Sequence, residues 1–404
     1  MDFNDTSQEA EFRAEVAEWL QQNVPTREEL SGLGEIQQSK LWQKRKFDAG
    51  WACLRWPKEY GGRGATAIQS VIWNQEESKH PVPTGIFQIG QGMAAPTMMS
   101  WASEEQKRFH LPPLASGEHI WCQLFSEPSA GSDLAGIRTR AERDGNDWII
   151  NGQKIWTSGA HYSDYGILVV RTDPTVPKHK GLTYFFLDMK SPGVEIKPIK
   201  QISGGANFNE VFFTDVRVPD EQRLGAVGQG WQVSLTTLMN ERAAIGGGGG
   251  GVGFDRVFRL AQKLALDDRP AIENGQVRSA LANWYCQESG LKYTGYRSLT
   301  ALSRGETPGP ENSIGKYVGA SKSQDMASFA IDLLEMAGIL EDRATATGAG
   351  IYTGTYMNAP GIRIAGGSDE IMLNILAERV LGLPQDIRVD KGVPFNEVPS
   401  GSSN

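Results

Sequence analysis

The sequence predicts an α+β multidomain chain that runs helical, then β, then helical. Three observations predict it. Apolar residues recur at helical spacing through the first 119 positions. From Ile120 to Val218 the apolar stretches shorten to strand length, with turn residues between them and no helix-length segment separating them. After Gly230 the helical periodicity returns. Strands that follow one another without intervening helices make an antiparallel sheet or small barrel, not a doubly wound sheet.

Taken in order, the helical domain (1–119) opens on a capping box, Thr6 with Glu9, followed by Phe12, Val16, Trp19 and Leu20 at helical spacing. Leu41–Gly50 and Thr97–Arg108 continue the pattern, broken by turns such as Trp56–Gly64. In the β domain (120–225), Trp148–Ile150 and Gln153–Trp156 flank Asn151-Gly152, a two-residue hairpin signal. Ile167–Val170, Leu182–Leu187, Val194–Ile199 and Val211–Val218 complete the strands. In the C-terminal helical domain (226–384) the helices are Trp231–Ile245, Phe254–Leu266, Gln276–Leu302, Glu311–Ile339 and Glu370–Leu381, with Gly305–Pro310 as a connection. Residues 385–404 read as an extended tail, frayed at its end.

Composition narrows the function classes. A net charge of −8 over 404 residues and a pI near 5.4 give no basic face for nucleic acid. No apolar run approaches the roughly 18 residues that span a bilayer, and the acidic, polar start is not a secretory signal. Cys53, Cys122 and Cys286 are scattered and odd in number. They suit reduced thiols in a cytoplasm, each a small core residue. The five histidines show no paired-ligand spacing, so no metal site is expected. Three matches to the dinucleotide fingerprint, at Gly62–Ala67, at Gly90–Ala95 and in the run Gly246–Gly251, lack the preceding strand. Ser313 and Lys316 have Ser-x-x-Lys spacing on an expected surface helix, and no GxSxG is present.

Four stretches carry chemistry. Ser126–Asp133 (SEPSAGSD) is a turn of small hydroxyl residues after a strand, and Lys154–Gly159 (KIWTSG) sets an aromatic ring beside two hydroxyls. Hydroxyls and backbone amides can hold the edge of a polar heterocycle while a tryptophan covers its face. Ala365–Pro384 opens a helix on Ser368, with Asp369 and Glu370 in its first turn, a site suited to a phosphate or polar group. Asn240–Gly253 places Glu241 just before the six glycines. Glycine costs about 1 kcal/mol relative to alanine in a helix. Composition alone reads the run as a linker. A helix stripped of side chains beside a carboxylate would instead leave room for a bulky ligand.

With these motifs, and with TDVRVP at Thr214–Pro219, the chain resembles the acyl-CoA dehydrogenase family over about residues 6–384. The resemblance implies a helical domain, a β domain and a C-terminal four-helix bundle. It also implies bound FAD, a homotetramer or an α2β2 heteromer, and oxidation of an acyl-CoA to the 2,3-enoyl-CoA. Electrons would pass to an electron-transfer flavoprotein. Gln123, Phe125 and Ser126 would contact the flavin, Trp156 would lie near its ring, and Thr157 and Ser158 would hydrogen-bond it. Ser368, Asp369 and Glu370 would meet the flavin nucleotide. Ser132 would touch the CoA chain, and Asn240, Arg242 and Gly367 would lie at the substrate. Much of the family carries its base where this chain has Gly366. A second group, similar to isovaleryl- and long-chain acyl-CoA dehydrogenases, carries it in a Glu-Arg pair matched here by Glu241-Arg242. Removing a thioester α-proton needs such a carboxylate, shielded from water, and the flavin takes the β-hydride.

Two departures stand out. The family's Arg-x-x-Phe segment, which reaches the FAD pyrophosphate of a neighbouring subunit, is shortened to Asp268–Gln276, with Arg269 as its substitute. The family's Gln-x-x-Gly-Gly is Glu335-Met-Ala-Gly338. Alternatives on the same scaffold are an acyl-CoA oxidase, a flavin monooxygenase, or one subunit of a heteromeric dehydrogenase. The glycine run suggests a wide pocket and a branched, cyclic or otherwise bulky acyl group.

Overall fold

A computed structural model describes residues 5–83, 85–245, 251–266, 268–304, 309–342 and 344–398. It forms two compact units: Met1–Lys200 with Ala206–Glu241 and Arg388–Asn404, and Gln201–Gly205 with Arg242–Ile387.

In the first unit, helices α1 (Ser7–Asn23), α2 (Arg27–Leu30), α3 (Glu35–Asp48), α4 (Ala67–Glu77), α5 (Ala95–Trp101) and α6 (Glu104–Ser116) precede the sheet. The expected capping box is present: Thr6 Oγ1 accepts from Glu9 N–H at 3.3 Å while Glu9 accepts from Thr6 N–H at 2.7 Å. The single helix expected over Thr97–Arg108 is two, because Ser103 starts a second capping box with Gln106. Trp19, Trp42, Trp51 and Trp73 cluster around Phe12, Val16 and Leu20 in one core.

The eight-stranded sheet comprises β1 (Trp121–Leu124), β2 (Arg140–Asp144), β3 (Asp147–Ser158), β4 (Tyr165–Arg171), β5 (Leu182–Asp188), β6 (Val194–Ile199), β7 (Phe208–Pro219) and β8 (Arg223–Leu224), in the order β6-β7-β3-β2-β4-β5-β8 with β1 beside β4. Most pairs are antiparallel, but β1 runs parallel to β4. One face of this sheet shares a core with the preceding helices: Met98, Leu111 and Leu114 meet Trp121, Ile167 and Tyr184.

The hairpin expected at Asn151-Gly152 is a correction. β3 is one continuous strand there, with a register shift against β7 between Ile150 and Gly152. The glycine is needed because Thr139 crosses it: a Cβ at Gly152 would sit 2.7 Å from the Thr139 Cα. The true turn is Gly145-Asn146, between β2 and β3, where Asp144 pairs with Asp147 and Gly145 takes φ +62°.

The second unit holds α8 (Phe254–Lys263), the two-stranded ribbon β9 (Ala265–Leu266) and β10 (Arg269–Pro270), α9 (Gly275–Ser303), α10 (Ser313–Leu333), α11 (Ile351–Ile364) and α12 (Asp369–Ile375). α7 (Gly230–Ile245) crosses the boundary between the units. Val257, Leu260, Leu281, Trp284, Met326, Ala330 and Tyr352 form the core of this unit. α11 is not among the expected helices, since Gly350, Gly354, Pro360 and Gly361 mask its periodicity. The helix expected over Glu311–Ile339 stops at Leu333, where Glu335 takes φ +50°.

Three further expectations change. Cys286 is exposed rather than in a core. Ser313 and Lys316 are not on an exposed surface: Ser313 is buried and the Lys316 side chain is nearly so. The tail is not frayed as far as it is described. Residues 388–398 lie on the first unit, with Phe395 N–H donating to Val176 O at 3.0 Å. Residues 399–404 lie outside the described residues. Among the described residues, no helix is long and apolar enough to cross a membrane.

Candidate active site

Two of the chemical motifs are stitched together in the first unit. The Ile155 N–H of β3 donates to Ser126 O at 2.9 Å. Lys154, fully buried, donates through Nζ to Phe125 O at 3.0 Å and to Glu127 Oε1 at 2.8 Å. Glu127 also accepts from the N–H groups of Arg138 (2.6 Å) and Thr139 (3.0 Å). Burial alone would raise the Glu127 carboxyl. The Lys154 ammonium and these donors outweigh it and hold the group below the usual carboxylate range. Sequence reasoning missed this pair, although Trp148, Ile150 and Lys154 share one strand face by period two.

β3 shifts register a second time between Lys154 and Thr157. There Trp156 takes φ +60°, a costly conformation for a bulky residue. Its indole is left 54% exposed, edge-on to Phe208. The shift also turns Thr157 inward to 1% exposure. Its Oγ1 has no hydrogen-bond partner among the described residues, while its carbonyl accepts from Asn209 Nδ2 at 2.9 Å. Ser158 is half-buried and Ser132 exposed. An open aromatic ring next in the chain to an orphaned buried hydroxyl fits a planar group with an apolar face and a polar edge, such as a flavin.

α7 is fixed at several points. Gly230 has no room for a side chain, since a Cβ would sit 2.6 Å from the backbone of Leu182 and Thr183 in β5. Thr237 Oγ1 lies 2.9 Å from both Thr97 Oγ1 and the Tyr184 hydroxyl, and Trp101 Nε1 donates to Thr236 Oγ1 at 3.0 Å. Val233, Thr237 and Glu241 recur every four residues on the buried face. Glu241, at 9% exposure, is therefore carried one turn beyond the pinned Thr237. Gln123 Nε2 of β1 donates to Glu241 Oε2 at 3.3 Å. A carboxylate so shielded, on so constrained a helix, can take a proton from a weak carbon acid. Asn240 turns back onto its own helix, donating to Thr236 O at 2.8 Å. The Arg242 side chain and Gly246–Gly250 of the expected pocket floor Gly246–Gly251 lie outside the described residues; Gly251 is packed rather than open, since a Cβ there would run into Ser323 Oγ.

The other expected site residues fall in the second unit. Gly366 (φ +66°) and Gly367 (φ +99°) form the turn before α12, and Ser368 Oγ accepts from Ile371 N–H at 3.4 Å as its cap. Asp369 is buried and engaged: Arg363 Nε donates to it at 2.6 Å and Lys316 Nζ lies 3.7 Å away. Glu370 is exposed. Its own backbone N–H and the Ser368 hydroxyl hold its carboxyl below the usual range. Arg269 is exposed on the β9–β10 ribbon, with no ion pair among the described residues.

Family profiles match nearly the whole chain. The acyl-CoA dehydrogenase N-terminal domain matches residues 6–118, the middle domain 122–216 and the C-terminal domain 228–381. The chain belongs to the acyl-CoA dehydrogenase family. These are flavoprotein oxidoreductases of lipid metabolism. Acyl-CoA dehydrogenase IpdE1 of Mycobacterium tuberculosis is 34% identical over 397 residues, covering 94% of this chain and 98% of that one. Acyl-CoA dehydrogenase FadE34 of the same organism is 38% identical over 339 residues, 84% of this chain, but the chain spans only 45% of its length. Among solved structures, the ChsE4-ChsE5 complex from Mycobacterium tuberculosis aligns with TM-score 0.78 at 30% identity, over 96% of this chain and 100% of that one. The Tcur3481-Tcur3483 steroid ACAD aligns with TM-score 0.79 at 29% identity, again over 96% and 100%. Acyl-CoA dehydrogenases of this kind thus share the helical, sheet and helical organisation seen here.

Proposed function

We propose that this acyl-CoA dehydrogenase family member is an FAD-dependent 2,3-dehydrogenase of a bulky acyl-CoA thioester, with Glu241 as the base. The observation that carries the reading is the Glu241 carboxylate, buried on pinned α7 and met by Gln123 of β1, the strand that leads into the Ser126–Asp133 motif. Glu370, the other acidic candidate near a family motif, is open to solvent and lacks that shielding.

In this reading Glu241 takes the α-proton of the thioester onto its carboxylate. The Gln123 amide orients the acceptor oxygen. Lys154 and Glu127 fix the backbone of Phe125 and Ser126, and Trp156, Thr157 and Ser158 hold the flavin. FAD, when bound, supplies the two-electron oxidant for the β-carbon hydride. Electrons then leave to an electron-transfer flavoprotein.

The likeness to a structure named for a steroid ACAD favours a polycyclic acyl group. The six-glycine stretch of the sequence agrees with it, by side-chain volume. The test is a panel of straight-chain, branched and steroid side-chain acyl-CoAs with an artificial electron acceptor. Comparable rates across the panel contradict the bulky-substrate assignment. Peroxide released at the turnover rate contradicts the dehydrogenase in favour of an oxidase.

A heteromeric assembly is the form we favour. The Arg-x-x-Phe segment is altered in this chain, and the ChsE4-ChsE5 structure is a complex of two differently named proteins. A purified chain that is colourless alone and yellow only with a second chain supports it. A yellow, active homotetramer contradicts it.

A further inference from the structure

The segment after α12 does structural work on the turn that carries Ser132. Arg171, at the end of β4, is buried and donates to three carbonyls: Ala135 O at 2.6 Å, Ile137 O at 3.0 Å and Lys178 O at 3.3 Å. Burial brings this guanidinium down to about 10. Its planar face is covered by the ring of Phe395, whose centroid lies 3.4 Å from Arg171 Cζ. Lys178 is the second link. Its ammonium contacts Asp133 Oδ1 and Oδ2 at 2.9 and 2.7 Å on one side, and Asp390 on the other. Main-chain bonds seat the segment: Phe395 N–H to Val176 O and Asn396 N–H to Pro174 O, both at 3.0 Å.

The turn 133–137 thus hangs on two cations, Arg171 and Lys178, and each is completed from the C-terminal segment. Without Phe395, water reaches the Arg171 guanidinium and competes for the carbonyls of Ala135 and Ile137. Without Asp390, Lys178 loses one of its two counter-charges.

We propose that residues 388–398 are a positioning strap for the 132–137 turn, with Phe395 and Asp390 as positioning residues that set the grip on the CoA chain. This rests on the assignment of Ser132 to the CoA chain. The strap's contacts run to Arg171, Lys178 and the backbone of Pro174 and Val176, so it acts on binding rather than on proton removal.

The test uses the full-length, flavin-loaded protein carrying Phe395→Ala alone and with Asp390→Ala. KM for an acyl-CoA is expected to rise about threefold to tenfold, the span a cation–π contact of this kind is worth, with little change in kcat. KM for the same acyl group on N-acetylcysteamine, which lacks most of the CoA chain, is expected to stay put. An unchanged KM for the acyl-CoA overturns the proposal, as does an equal rise for both thioesters. If the wild type turns over no acyl-CoA, the functional reading fails separately. The strap is then decided by hydrogen exchange over 130–138: faster exchange in Phe395→Ala supports it, and unchanged exchange overturns it.

Discussion

Replacing Lys154 with methionine should be among the most damaging single changes in the sheet. The Lys154 side chain is fully buried, and its ammonium has two partners, Phe125 O at 3.0 Å and Glu127 Oε1 at 2.8 Å. Methionine keeps most of the stem volume, so the cavity term is small. What remains is a buried Glu127 carboxylate stripped of its counter-charge. Removing one partner of a buried pair costs about 3–5 kcal/mol, a fifth or more of the roughly 5–15 kcal/mol typical of whole-protein stability. Urea unfolding followed by tryptophan fluorescence reads the loss. The double variant Lys154→Met/Glu127→Gln should recover part of it, because the stranded charge is gone. The Lys154→Met protein should also hold FAD less tightly, since the Phe125–Ser126 backbone is no longer tied to the strand bearing Trp156. A loss below about 1 kcal/mol, or a double variant as unstable as the sum of the singles, would refute the reasoning.

Two other outcomes follow from buried groups. His110 is walled in by Trp121, Tyr165 and Phe186, and burial, with His119 nearby, lowers its pKa from 6.5 to about 4. The folded state therefore favours neutral imidazole. Its contribution is complete above pH 6.5 and is lost as pH falls toward 4, by about 1.4 kcal/mol per unit. His110→Phe should flatten that part of the stability profile, measured by urea midpoints across the window; an unchanged slope contradicts it. Thr157→Val removes a hydroxyl with no intrachain partner among the described residues, so the flavin-free protein should keep its stability to within about 0.5 kcal/mol while FAD affinity falls roughly tenfold. Equal FAD affinity in equilibrium dialysis would show that the hydroxyl does not face the cofactor.

The order of helices and strands was legible because periodicity reports which face of an element is buried, and it does so without knowledge of neighbours. What failed depended on neighbours. Asn151-Gly152 carries the local chemistry of a hairpin turn, but the glycine answers to Thr139 lying across it. α11 is carried by tertiary packing despite Gly354, Pro360 and Gly361 within it. The tail has little apolar pattern, and its anchoring rests on main-chain bonds to Val176 and Pro174, one aromatic ring over Arg171 and one carboxylate at Lys178. Of the candidate site, the sequence brought forward Glu241, Gln123 and the Trp156 stretch. It did not show that Gln123 meets Glu241, because parallel β1 and α7 are 118 positions apart at that contact. Nor did it show that Asp369 is engaged by Arg363 and Lys316 rather than turned outward.

The central claim is that Glu241 removes the α-proton. Anaerobic mixing of the Glu241→Gln protein with a substrate acyl-CoA, read by the visible absorbance of its flavin, tests it most directly, with Glu370→Gln run alongside. Glu241→Gln is expected to retain FAD and bind the thioester but show no bleaching, while Glu370→Gln bleaches like the wild type. Bleaching of the Glu241→Gln flavin at the wild-type rate would contradict it.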